Sequence, residues 1–126
     1  MLEVKPLQNK TEQETACLKC GVMYAPDYLA YAAYKDGQFV CLCQFKPSSG
    51  CGIIKDLKAL EDHRDAETLE LILRAALSFM DLCGNRCCEC RGGELDIDAL
   101  RLAGFELNEK GHYAISFDKL GCQHKK

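Results

Sequence analysis

Apolar and polar residues alternate from Leu2 to Lys5 and stop at Pro6, the period of a short strand. Thr11 to Met23 carries a helical pattern, with Thr11 as N-cap and Glu14 completing a capping box, and Pro26 and Asp27 close it. Two runs rich in aromatic and β-branched residues, Tyr28 to Tyr34 and Gln38 to Phe45, flank Lys35, Asp36 and Gly37. An Asp-Gly pair between such runs predicts a hairpin. In the second run Phe39, Cys41, Cys43 and Phe45 fall on one face and Val40, Leu42 and Gln44 on the other.

A turn over Lys46 to Gly50 leads into a strand from Gly52 or Ile53 to Leu60. The period then changes to three and four. Leu69, Ile72, Leu73, Ala76, Leu77 and Met80 make one apolar stripe within a helix from Asp62 to Cys83, ended by Gly84 and Asn85. Cys87 to Arg91 reads as a short strand, Gly92 and Gly93 as a break, and Leu95 to Ala103 as a final short helix stopped by Gly104. Phe105 to Asn108 and His112 to Phe117 form a closing hairpin. The predicted order is β-α-β-β-β-α-β-α-β-β, an α/β domain (an α+β mixed sheet) in which a crossover helix joins two parallel neighbours.

The length of 126 residues predicts one domain over residues 1–126, with 121–126 as a flexible tail. A net charge of -3 provides no broad basic field and argues against a nucleic-acid partner; the locally basic end, Gln123 to Lys126, reads as solvated. The first residues show no apolar signal-peptide region. The most apolar stretch, Leu69 to Leu82, is interrupted by Glu70, Arg74 and Asp81, so no membrane span is expected. These features predict a cytoplasmic protein.

Ten cysteines fit that setting as free thiols, since a reduced cysteine behaves as a small hydrophobe. Adjacent Cys87 and Cys88, and alternating Cys41 and Cys43, are poorly placed for a disulfide within one strand. Cys17 and Cys20 together with Cys87, Cys88 and Cys90 offer thiolates for zinc. The first two fall inside a helix and the others on a strand, so the expectation is no metal. A redox Cys-x-x-Cys pair belongs at a helix N-terminus, whereas Cys17 is mid-helix and Cys20 near the C-terminal end.

The run from Ile53 to Arg64, the long amphipathic helix after it, the short strand and the segment Ala99 to Phe105 together resemble the GNAT N-acetyltransferases. The resemblance extends from Leu2 to Leu120, although the region between the first strand and the hairpin leaves room for one helix where the family has two. It implies a GNAT-like acyl-CoA N-acyltransferase fold, with acetyl-CoA as cofactor and a small-molecule or peptide amine as acceptor. In that family, main-chain groups of the central strand bind the pantetheine arm, here those of Leu57, Lys58 and Ala59. The pyrophosphate lies at the following turn and helix N-terminus, here Arg64, Asp65, Ala66, Glu67, Thr68 and Leu69. Orphan N–H groups and the positive helix end attract anions there, and glycines let the backbone approach.

Arg64 matches the first position of the family's phosphate motif, but its two small-residue positions are Glu67 and Leu69. Glu67 places a carboxylate beside the phosphates, and with Asp65 it satisfies the helix dipole from within. Many members also carry a tyrosine general acid five residues before the Phe of the late Gly-Phe pair; here that position is Leu100. Candidate bases are Asp56 and Glu61, with His63 nearby. The plainer reading makes Asp56 an exposed strand residue, His63 a surface loop residue, and Tyr31 and Tyr34 packing residues, not the lining of an acceptor pocket. Two functions follow. One is an N-acetyltransferase working by direct attack of an amine on the thioester. The other is a catalytically degenerate GNAT-fold protein acting as a binding or interaction module. An edge strand near the C-terminus offers a route to a homodimer.

Overall fold

The computed structural model describes residues 1–118. The tail expected over 121–126, and Leu120 where the resemblance ends, lie outside them. The described elements are β1 (Leu2–Pro6), α1 (Lys10–Cys20), β2 (Leu29–Lys35), β3 (Gln38–Lys46), β4 (Cys51–Ala59), α2 (Ala66–Leu82), β5 (Cys87–Cys90), α3 (Ile97–Ala103), β6 (Glu106–Leu107) and β7 (Tyr113–Ser116). The order is the predicted one. The seven strands form one sheet, β1-β2-β3-β4-β5-β7-β6, in which β4 and β5 run parallel and the other described pairs antiparallel.

The β2–β3 hairpin turns on Asp36 and Gly37, both with positive φ (53° and 84°). That is the type I′ geometry whose twist suits a two-residue hairpin. The helix boundaries differ from the sequence expectation. Asn9, not Thr11, caps α1, its side-chain oxygen accepting from Thr11 N at 2.8 Å and Glu12 N at 3.3 Å. The helix ends at Gly21 (φ 72°), where Val22 N–H reaches the Cys17 carbonyl, well short of Met23. Residues 61–63 form a 3₁₀ turn, so α2 begins at Ala66 and not at Asp62.

The apolar stripe of α2, with Leu69, Ile72, Leu73 and Ala76 all fully buried, covers one face of the sheet against Cys43, Phe45, Ile54 and Leu57. Each such Leu or Ile contributes roughly 1.5 to 3 kcal/mol by burial. The smaller α1 covers the opposite face, where Ala16, Cys17 and Cys20 meet Ala30, Ala32 and Leu42. The expected alternation in β3 fails at one place. A bulge opposite Ala33 and Tyr34 leaves Val40 without a register partner on β2, so Val40 joins the α2 side and Phe39 the α1 side. Gly52 lies directly beneath α2, and a Cβ there would come within 2.3 Å of Met80 Sδ. Among the described residues, no helix is long and apolar enough to cross a membrane.

Candidate functional site

A second bulge sets the geometry of the site. Gln44 pairs with Asp56 and Phe45 with Ile54, which leaves Lys55 as the extra residue of β4. The bulge reverses the phase of the strand. Ile54 and Leu57 both face α2, while Asp56 turns toward α1 and Gln44. Asp56 is therefore fully buried (0 % exposed), which corrects the expectation of an exposed strand residue. Its Oδ2 accepts from Gln44 Nε2 at 2.6 Å and from Lys55 Nζ at 2.9 Å, and its Oδ1 accepts from Glu94 N at 2.8 Å. Gln44 in turn accepts from Gln13 Nε2 of α1 at 2.9 Å and donates to the Met23 carbonyl at 2.9 Å. The carboxylate is a structural hub tying α1, β3 and β4 to the segment after β5.

The same bulge separates β4 from β5. Their parallel pairing ends at Ile54 and Cys90. Beyond it the chain folds back through Gly92 and Gly93, both with positive φ, and rejoins the edge of β4. Leu57 N–H donates to the Glu94 carbonyl at 2.8 Å, and Leu57 and Leu95 form a single parallel bridge. Gly93 (φ 68°) is needed for this return, because a Cβ there would lie 2.0 Å from the Lys55 carbonyl oxygen and 2.3 Å from Asp56 Oδ1. The gap opened by the bulge is filled by the chain itself.

Arg64 stands at the mouth of this gap. Its Nε and one terminal nitrogen donate to the two carboxylate oxygens of Asp96, each at 2.8 Å, and the latter nitrogen also reaches Asp98 at 3.2 Å. This is the bidentate fork that binds carboxylate and phosphate alike. Asp96 is also the N-cap of α3, accepting from Ala99 N at 3.2 Å. Burial pulls the Asp96 carboxyl up, but the bonds from Arg64 and Ala99 N–H, with the Arg64 charge, outweigh it and hold it below its ordinary value.

At the start of α2, Thr68 Oγ1 donates to Asp65 Oδ2 at 2.7 Å, the main cause holding that carboxyl below its ordinary range. Glu67 is exposed in the first turn beside Ala66, and Leu69 is fully buried in the core. Leu100 is likewise fully buried, on α3.

Between these elements lies a cavity of about 240 Å³ bordered by Lys58, Ala59, Glu61, Arg64, Glu94 and Asp96. It is below the roughly 300 to 1,000 Å³ of ordinary small-molecule sites. Lys58 pairs with Glu94 at 3.6 Å, so three carboxylates and two cations line the space, both cations already engaged. Of the residues singled out in the sequence, the cavity brings together Lys58, Ala59, Glu61 and Arg64. It does not include Asp56, which is enclosed below it, nor Leu57, whose side chain lies in the core.

His63 stays at the surface, 3.4 Å from Gln38 Nε2. Tyr31 and Tyr34 pack on Phe45 and Phe39. Glu94, Asp96, Asp98 and Gln44 went unrecognised in the sequence. The one signal in the sequence is the Gly92-Gly93 pair, which marks a break without showing where the chain returns. Among the described residues, no three His, Cys, Asp or Glu side chains converge as metal ligands.

No family model and no curated protein matches the sequence. Solved structures do match the fold. A GNAT family acetyltransferase from Brucella melitensis in complex with acetyl-CoA is 17% identical, with TM-score 0.67, over 93% of this chain and 88% of that one. The GNAT family N-acetyltransferase YhbS from Escherichia coli in complex with CoA is 14% identical, with TM-score 0.67, over 91% and 81%. The PaiA N-acetyltransferase from Thermoplasma acidophilum in complex with coenzyme A is 13% identical, with TM-score 0.63, over 90% and 96%. With its mixed seven-stranded sheet, its parallel β4–β5 pair and α2 crossing between them, the chain has the fold of the GNAT acetyltransferases.

Proposed function

We propose that this chain is a catalytically degenerate GNAT-fold protein that serves as a binding or interaction module and does not transfer acetyl groups. The observation that carries this reading is the placement of Glu94. Its carbonyl occupies the Leu57 N–H, and its own N–H is held by Asp56. A pantetheine arm bound along β4 has to displace both bonds. Against acetyl-CoA stand Arg64, engaged by Asp96 and Asp98, and the carboxylates of Asp65 and Glu67 at the turn where the family resemblance puts the pyrophosphate. Leu100 carries no transferable proton. Asp56, with its oxygens taken by Gln44, Lys55 and Glu94, is a poor candidate for a base.

A second reading, an acetyl-CoA-dependent N-acetyltransferase acting on an amine, is favoured by the parting of β4 and β5 at the bulge and by the cofactors in similar structures. In it Glu61, at the rim of the cavity, is the better-placed base. Thermal unfolding with and without acetyl-CoA separates the two. A ligand at a hundred times its Kd stabilises by about 2.7 kcal/mol. The degenerate reading expects no shift at millimolar acetyl-CoA, and a clear rise in Tm supports the enzyme instead.

A further inference from the structure

Two of the thiols face each other across the parallel strand pair. Cys51 of β4 and Cys87 of β5 are register partners, the first pair before the strands part. Alternation puts them on the same face. Gly52 and Ile54, with Cys88 and Cys90, point into the core under α2, so Cys51 and Cys87 project from the opposite side. Both are half-buried, within reach of a small molecule, whereas Cys41, Cys43, Cys88 and Cys90 are sealed in the core. Neighbouring strands lie about 4.8 Å apart, inside the range of about 4.4 to 6.8 Å between the Cα atoms of a disulfide. The sequence pattern weighs pairs within one strand and does not show this one across two.

We infer that Cys51 and Cys87 form a redox-active dithiol that closes into a disulfide by exchange with a low-molecular-weight disulfide. In the first step the Cys87 thiolate attacks one sulfur of the small disulfide, forming a mixed disulfide and releasing one small thiolate. In the second, Cys51 gives up its proton and attacks the Cys87 sulfur, releasing the second small thiolate. Two protein thiols and one small disulfide become one protein disulfide and two small thiols, a balanced transfer of two electrons and two protons.

The order follows from the surroundings. Burial, then the bond to Cys87, pushes the Cys51 thiol up to about 12, so Cys51 keeps its proton until the mixed disulfide has formed beside it. Side chains on adjacent parallel strands point the same way, leaving their Cβ atoms near the full strand spacing. The preferred disulfide separation is about 3.8 Å, so the closed bond is strained and easily reduced. This is the profile of a reversible pair, not of a permanent staple. When closed, it fixes the start of β4 to the start of β5 across the whole of α2.

The test is to incubate the folded chain with glutathione disulfide, block remaining thiols with a maleimide, and map the peptides by mass spectrometry. The expected product is a Cys51–Cys87 cross-link with two hydrogens lost, reversed by reduced glutathione and unaffected by Cys83→Ser. In Cys51→Ser, Cys87 is expected to stop at the mixed disulfide. Should that variant fail to fold, the wild-type map alone decides. Separate glutathione adducts on Cys51 and Cys87, linkage of either to another cysteine, or blocking of both by maleimide after oxidation each overturns the proposal.

Discussion

Leu57 donates its backbone N–H to the carbonyl oxygen of Glu94 at 2.8 Å, closing the edge of β4 with a segment of the same chain. Everything distinctive about the cleft follows from this bond and from the Asp56 carboxylate that holds Glu94 from the other side. The bulge at Lys55 opens the sheet, and Gly93 allows the chain to return and fill the opening.

Removing the hub takes an acceptor from three donors at once. Asp56→Ala takes from Gln44 Nε2 one of its two acceptors, leaving the Met23 carbonyl, strips Glu94 N of its acceptor and leaves Lys55 without its closest counter-charge. Breaking one partner of a buried charged network costs about 3 kcal/mol. Urea unfolding is expected to show a loss of this size for Asp56→Ala and a smaller one for Asp56→Asn, which keeps the shape and one acceptor. Wild-type stability for Asp56→Ala would contradict the hub role.

Gly93→Ala tests the return of the chain. A left-handed alanine costs about 1 to 2 kcal/mol by itself, and the contact at 2.0 Å with the Lys55 carbonyl forces the backbone apart. The expected outcome is lower stability together with faster amide exchange at Leu57. Gly92→Ala, with no atom near the added methyl, is expected to show the backbone strain alone.

The Arg64–Asp96 pair has a definite pH signature. The Asp96 carboxyl is held below its ordinary value in the fold, the unfolded value being about 3.9. Its stabilisation is therefore present above that pH and is lost as the pH falls through the lower, folded value. Arg64→Ala is expected to lower the urea midpoint modestly at pH 7, since the arginine is largely solvated. The difference from wild type is expected to close as the pH falls through that lower, folded value. A difference that persists unchanged in acid would assign the effect of Arg64 to packing.

Thiol accessibility gives an independent check on the core. Burial pushes the Cys41 and Cys90 thiols up to about 12, and Cys43 and Cys88 well above the ordinary value. Exposed Cys83 is expected to react first with a maleimide at pH 7, and these four only on unfolding. Rapid native labelling of Cys43 would show that the α2 face is not packed as described.

Most of the fold was legible because it is written in local periods. The Asp36-Gly37 hairpin, the stripe from Leu69 to Met80 and the stop at Gly104 each act over a few residues, and each sits where the pattern put it. The cleft was legible only in part. Arg64, Glu61 and Lys58 do meet there, but the residues that decide its chemistry are distant in sequence. Asp96 lies 32 positions from Arg64, and Glu94 lies 38 from Asp56. The burial of Asp56 depends on a bulge at Lys55, which reverses the strand face without any mark in the alternation of side chains. Asn9 caps α1 although Thr11 and Glu14 offer a complete capping pattern two residues later, so the sequence alone points to the wrong cap.

Glu94 holds the edge of β4 along which a pantetheine arm would have to lie. Amide hydrogen exchange at Leu57, followed by NMR with and without millimolar acetyl-CoA, tests it most directly. The expected result is a Leu57 amide already protected in the free protein and unchanged by acetyl-CoA. A Leu57 amide that exchanges freely alone and becomes protected on adding acetyl-CoA would contradict it and restore the cleft as a cofactor site.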